Sequence, residues 1–410
     1  MRSLVVVLAL VGCGSNDNQG TVDASTGVDG DTGPMDAPGS SDSFGDLMPH
    51  VVGSNGVIAA PKVVAITYAN DPNRTDYETF FTQYAASTAW TAQANEYGVG
   101  ALTVGASGRL TANAPASLTE SQFINNILKA NLTGANPLFG APDANTIYQI
   151  SIPPTLPYDD GTGAKCCTDY LGYHSDAMIG GVDVPFVINC ACAGSGLTAL
   201  QNLTETANHE TVEAATDPLG TGFAQTDDEH AVWTYTTDGE VADLCEYADT
   251  ANLLAPTGMT YAIQRTWSNA AAHASTDPCI PGGVSAYYQT IPTMPDAATV
   301  SVFGSNVTTK AKQIAKGASG TVTMRVYSTD ASTGPYTVTV DDWNGLITQP
   351  SVKLLAITQP VGTYNAGDTV SVQITVNNVD AQLGGTAEAF QITTKPASGP
   401  STYFYGMVAQ

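Results

Sequence analysis

The chain has 410 residues, with 13 basic against 38 acidic side chains and a formal net charge of −25. No face can be basic enough to follow a phosphate backbone, which argues against nucleic acid as a partner. The same sign argues against an electrostatic grip on anionic lipid, and the length predicts more than one domain at roughly 150 residues each.

Arg2 is the only charge before a short apolar run, Leu4 to Val11, which ends at Gly12 and Cys13. Such a run is too short for a bilayer, which needs about 20 residues, and reads as a secretory signal over 1–13. The string Leu10-Val11-Gly12-Cys13 resembles the bacterial lipobox, so Cys13 is expected to carry a lipid. Gly14 follows Cys13 where an inner-membrane retention signal would have Asp, which points to the outer membrane or cell surface. Membrane contact is then by lipid anchor only.

Residues 14–48 are mostly Gly, Ser, Thr, Asp and Pro, with one aromatic, Phe44, and no basic residue. That composition cannot offset its ordering entropy and predicts a disordered acidic linker. From 50 to 285, helix and strand signals alternate. Lys62 to Tyr68, Thr146 to Ile152 and Val182 to Asn189 are strand-like. Thr75/Glu78, Thr119/Gln122 and Thr198/Gln201 have capping-box spacing and predict three helices, the last running to Pro218. This order predicts an α/β or α+β domain. From 290 to 410, short alternating runs separated by turn clusters predict an all-β sandwich of immunoglobulin-like type.

With Cys13 as lipid carrier, six cysteines are left: Cys166, Cys167, Cys190, Cys192, Cys245 and Cys279. An even number in an oxidising compartment predicts up to three disulfides, with fifteen possible connectivities. Their spacings do not suit a zinc knuckle.

The chemistry concentrates in Asn208-His209-Glu210-Thr-Val-Glu213-Ala-Ala-Thr-Asp217-Pro218 and in Gly239-Glu240-Val-Ala-Asp243-Leu-Cys245. Six of the ten glutamates lie between Glu205 and Glu246, which makes this stretch the candidate site. Residues four apart share a helix face, so His209 and Glu213 can grip one cation. In His-Glu-x-x-His zinc proteases two histidines hold the metal and the glutamate between them is the general base, which assigns the base role to Glu210. Glu213 replaces the second histidine. A third ligand is expected from Glu240 or Asp243, the other steadying His209 from behind. His174, His230 and Tyr247 are further candidates as ligands or transition-state donors. One histidine among carboxylates also suits a structural calcium or manganese ion.

The segments His209 to Pro218 and Glu240 to Cys245 resemble His-Glu-x-x-Glu…Asn-Pro and Glu-Ile-x-Asp-Leu-Cys of the plant EXORDIUM (phosphate-induced) proteins and their bacterial relatives. Earlier in the chain, Val63 to Tyr68, Trp90 to Tyr97, Ile147 to Ile152, Gly172-Tyr-His174 and Cys190-Ala-Cys192 also resemble the family's segments, in the same order. The resemblance covers about 60 to 280. It implies an extracellular protein and assigns no activity, and this chain departs from it at Asp217, in the lipid anchor and in the C-terminal sandwich. Together these features lead us to expect a surface lipoprotein whose metalloprotease-like domain uses zinc to hydrolyse peptide bonds. Its partner would be a peptide or a cell-surface polymer. The alternative is a non-catalytic binding protein with a structural metal ion.

Overall fold

The computed structural model describes residues 43–410 apart from 54, 55, 136, 195 and 349. The signal segment, Cys13 and the spacer as far as residue 42 lie outside the described residues. Residues 43–48, expected in the spacer, instead pack against the body. Phe44 and Met48 are buried, and Phe44 sits against the rings of Tyr287 and Tyr327. The one aromatic of the acidic segment thus has apolar surface to cover, and the spacer stops short of it.

The first unit is built on a mixed sheet. Its long strands are β1 (Lys62–Thr67), β2 (Thr146–Ile152), β3 (Gly172–Ile179) and β4 (Val182–Cys190), in the order β1-β2-β4-β3. β1, β2 and β4 run parallel, β3 pairs antiparallel with β4, and short segments at 103–104 and 108–109 pair with β1. The parallel strands are near-continuous apolar runs because both faces are covered. Val63, Ala65, Ile147 and Val187 face the helices α1 (Arg74–Ala86) and α2 (Ala199–Thr216). Val64, Ile66, Ile150 and Phe186 face Phe123, Ile127 and Leu128 on the opposite side.

The capping boxes at Thr119/Gln122 and Thr198/Gln201 are both formed. The one at Thr75/Glu78 is not: α1 begins at Arg74, with Asn73 at its cap. The Arg74 guanidinium donates to the carbonyls of Thr67, Tyr68 and Leu110, so a tertiary anchor fixes this helix start. Residues Phe123–Lys129 of the next helix are π-helical.

Three disulfides form, as the even count predicts: Cys166–Cys190, Cys167–Cys192 and Cys245–Cys279. The first two tie the loop before β3 to the end of β4. The third pins α4 (Asp243–Glu246), which follows α3 (Ala231–Thr237).

The rest of the chain is all-β. Strands β5 (Tyr288–Pro292), β8 (Ser319–Ser328), β11 (Thr369–Val376) and β10 (Leu355–Thr358) form one sheet in that order. A second sheet runs β6 (Asp296–Val302), β7 (Ser305–Gln313), β13 (Thr402–Ala409), β12 (Ala387–Pro396) and β9 (Tyr336–Asp342). A mixed α/β unit followed by a β unit is therefore the architecture. The two are not separate beads: Trp233 of α3 packs edge-on against Phe404 and Tyr405 of β13, and one apolar cluster runs through both. Among the described residues no helix is long and apolar enough to cross a membrane.

Candidate metal centre

α2 is buried almost all round, so its polar stripe faces other protein groups rather than solvent. Ala207, Val212, Ala214 and Ala215 fill the apolar side, while His209, Glu210, Glu213 and Asp217 form a polar basin that meets His174 of β3 on one side and residues 240–243 on the other.

His209 Nε2 lies 2.9 Å from Glu213 Oε2 and 3.4 Å from Asp243 Oδ1. Each carboxylate spends its other oxygen on the backbone. Glu213 Oε1 accepts from the N–H groups of Ala242 and Asp243 (3.1 and 3.2 Å), and Asp243 Oδ2 accepts from Glu240 N–H (3.2 Å). Both acids are thereby locked with one free oxygen turned toward the same imidazole nitrogen.

Gln264 fixes the far side of His209, a role the sequence did not disclose. Its Nε2 donates to the carbonyl of Ala242 (2.8 Å); a carbonyl only accepts, so the amide orientation is settled. Gln264 Oε1 therefore accepts from His209 Nδ1–H at 3.0 Å, leaving Nε2 to face the carboxylates. Asn208 secures Gln264 in turn, its Oδ1 accepting from Gln264 N–H at 2.8 Å. Of Glu240 and Asp243, the two alternatives above for steadying His209, Asp243 instead faces Nε2, and Gln264 does the steadying.

Glu240 is placed apart from this set. Its Oε1 is 3.7 Å from Nε2 of His174, and its carboxyl neighbours that of Asp217. His174, on β3, turns Nδ1 toward Glu210 Oε2 at 3.3 Å and Glu213 Oε2 at 3.8 Å. His230 is engaged elsewhere, with Asp227 and the carbonyl of Leu47. Tyr247 lies beside Glu246 at the cleft toward Tyr405.

Gly172 lets β3 approach α2 closely enough for His174 to reach Glu210. A Cβ there would stand 2.4 Å from Thr206 Cγ2 and 2.7 Å from the carbonyl oxygen of Ile188. Gly172→Ala should therefore push β3 off the helix and cost about 1–3 kcal/mol. Urea unfolding of the variant against wild type measures this; an unchanged midpoint would show that the close approach carries no weight.

Burial and mutual repulsion dominate the electrostatics. Burial, then Asp243, pushes Glu213 up to about 7 against the pull of His209. Burial, then Asp243, pushes Asp238 to about 8, and burial raises Glu246 to about 8 and Glu205 to about 7. Burial, then Glu213, raises Glu240 well above the carboxylate range. Burial alone would lower His174, but the hydrogen bond and charge of Glu210 overcome it and hold the imidazole at about 9. His209 is likewise held charged against burial by Glu213 and Asp243. Protons thus stand in for positive charge that the two histidines alone do not supply.

Among the described residues, three groups of side chains converge with one ligand atom each within 4.8 Å of the others: His209, Glu213 and Asp243; His174, Glu210 and Glu213; and His174, Asp217 and Glu240. Two donors on a tetrahedral zinc ion with arms of about 2.1 Å stand about 3.4 Å apart. The His209–Asp243 spacing of 3.4 Å fits that, and the His209–Glu213 pair is closed to hydrogen-bond length.

No family model matches the sequence, and no curated protein matches it. Among solved structures the chain is similar to a conjugative transposon lipoprotein from Bacteroides eggerthii, at 13% identity and a TM-score of 0.16, over 29% of this chain and 95% of that one. It is also similar to a beta-glucosidase from Listeria innocua, at 10% identity and a TM-score of 0.16, over 86% of this chain and 46% of the enzyme. At these scores neither likeness bears on fold or chemistry.

Proposed function

We propose that this chain is a surface-anchored lipoprotein whose α/β unit is a metalloprotease-like, zinc-dependent peptidase. The observation that carries it is the convergence of His209 Nε2, Glu213 Oε2 and Asp243 Oδ1, with Glu210 directly following His209 in the same helix. The donor set fits a divalent ion: one imidazole held at Nδ1 by Gln264, so that Nε2 is the nitrogen left for a metal once its proton is displaced, two carboxylates pre-aimed by backbone N–H groups, and no thiolate, since all six candidate cysteines are in disulfides. A bound zinc ion would polarise a substrate carbonyl and acidify water. Glu210 then serves as the proton acceptor and, later, donor to the leaving amine, while His174 holds its carboxylate by the 3.3 Å contact. β3, at the edge of the sheet, offers unpaired backbone groups beside the basin for an extended peptide. The stretches that supply this basin, His209 to Asp217 and Glu240 to Asp243, are those that resemble EXORDIUM proteins. The lipobox-like string ending at Cys13 supports anchoring at an outer membrane or cell surface. The β unit is taken as an immunoglobulin-like accessory module.

The excess of carboxylates over imidazoles favours a second reading, a structural calcium or manganese ion without turnover. Incubating purified protein with a mixed peptide library, with and without zinc, separates the two. Zinc-dependent cleavage supports the peptidase, and bound metal without cleavage supports the structural ion.

Gln264→Leu keeps the packing volume and removes the acceptor for His209 Nδ1–H. Loss of such an orienting partner typically lowers metal affinity about 10–100-fold. Zinc titration calorimetry reads this directly, and an affinity equal to wild type would remove Gln264 from the site.

A further inference from the structure

We infer that the basin holds a second divalent cation, bound by His174, Asp217 and Glu240 beside the first. This rests on the proposal that His209, Glu213 and Asp243 bind a metal, and extends it to a two-metal centre.

Three observations carry it. Asp217 is wholly buried; its Oδ1 accepts from Gly222 N–H at 2.5 Å, whereas Oδ2 is buried with no hydrogen-bond donor among the described residues. A buried carboxylate oxygen without a donor is costly unless a cation or proton faces it. Next to it stands Glu240, a second acid, and a proton alone could bridge those two. A third donor atom converges on them, however: His174 Nε2 lies 3.7 Å from Glu240 Oε1. That gap is too wide for a direct hydrogen bond and close to the spacing of about 3.4 Å between two ligands of one tetrahedral ion.

The third observation is the orientation of His174. Its Nδ1 faces Glu210 Oε2, so Nδ1–H can donate to a carboxylate, and a cation that displaces the Nε2 proton would meet a lone pair directed at Asp217 and Glu240. Metal-binding histidines characteristically have their second nitrogen held this way. His209 repeats the pattern, with Nδ1 held by Gln264 and Nε2 facing Glu213 and Asp243. Two imidazoles are thus each held at Nδ1 and each aimed by Nε2 at a different pair of acids.

The test is the zinc content of the full chain, measured by mass spectrometry after dialysis against zinc and then against buffer. Wild type should retain two equivalents. Asp217→Asn and Glu240→Gln should each retain one, and Asp243→Asn should retain the other. Asp217→Asn keeps the Oδ1 acceptor for Gly222 and places an amide donor where the cation would be, so its fold should persist. If it does not fold, Glu240→Gln, at the more open side, decides alone. A single equivalent in wild type that survives both Asp217→Asn and Glu240→Gln but not Asp243→Asn would overturn the second position and leave the first intact. A single equivalent with the opposite pattern would support the position argued here and sink the first. No retained metal would sink both.

Discussion

Glu210→Gln is expected to lower peptide hydrolysis by about 10²–10⁴-fold, the usual weight of a positioned general base. The substitution keeps size and hydrogen-bonding reach but removes the proton acceptor. Glu210 is absent from the His209, Glu213 and Asp243 set, so the first metal equivalent should be retained. Near-isosteric replacement in a buried position of α2 should also leave the fold in place. Steady-state cleavage of a peptide found by the library screen, with metal content measured on the same preparation, checks both halves. Equal activity in the variant would remove Glu210 from the chemistry and favour the structural-ion reading. A drop in activity accompanied by loss of the first equivalent would mean that Glu210 holds the site together instead of moving protons.

The second large effect lies in the β unit. Glu388 on β12 has no exposed surface. Its Oε1 accepts from Asn344 N–H, and Oε2 is buried with no well-formed hydrogen bond among the described residues. Burial first, then the nearby Asp342, pushes its pKa up to about 8. The folded protein therefore keeps this proton at neutral pH, whereas an unfolded chain loses it near pH 4.3. Between those values the native state binds more protons than the unfolded state, so stability falls as pH rises. The contribution is fully present below the unfolded value and is lost as pH passes through about 8. One such proton amounts to about 3 kcal/mol between pH 5 and 8. Glu388→Gln should cancel this slope, leaving the variant more stable than wild type at pH 8 and similar at pH 4.5. Denaturant unfolding across that range tests it, and parallel pH profiles for the two proteins would refute it.

Much of the scaffold was legible because its signals are local. The apolar run Thr146 to Ile152 is a strand over the same residues, and the Thr198/Gln201 box opens α2 through side-chain-to-backbone bonds that need no distant partner. The start of α1 was misplaced because Arg74 is anchored by carbonyls on other elements, and local spacing carries no trace of that. β3 was missed as a strand. Its residues, Gly-Tyr-His-Ser-Asp-Ala-Met-Ile, mix a core-facing side with a side on which His174 reaches the basin while Asp176 and Met178 are exposed, and only its pairing with β4 makes the pattern intelligible.

The site divides in the same way. The four-residue spacing of His209 and Glu213 on one helix face could be read directly. The choice between Glu240 and Asp243 depends on how the turn before α4 folds, and the structure turns Asp243 to His209 and Glu240 to His174. Gln264 lies 55 residues beyond His209, in a two-residue strand with no motif around it. The pairing of six cysteines likewise depends on the tertiary fold.

Whether His209, Glu213 and Asp243 hold one cation is tested most directly by diffraction from crystals grown with zinc, recorded on both sides of the zinc absorption edge. The expected result is an anomalous peak about 2.0–2.2 Å from His209 Nε2 and from one oxygen each of Glu213 and Asp243. The contradicting result is a map in which those three side chains hydrogen-bond directly to one another with no peak between them.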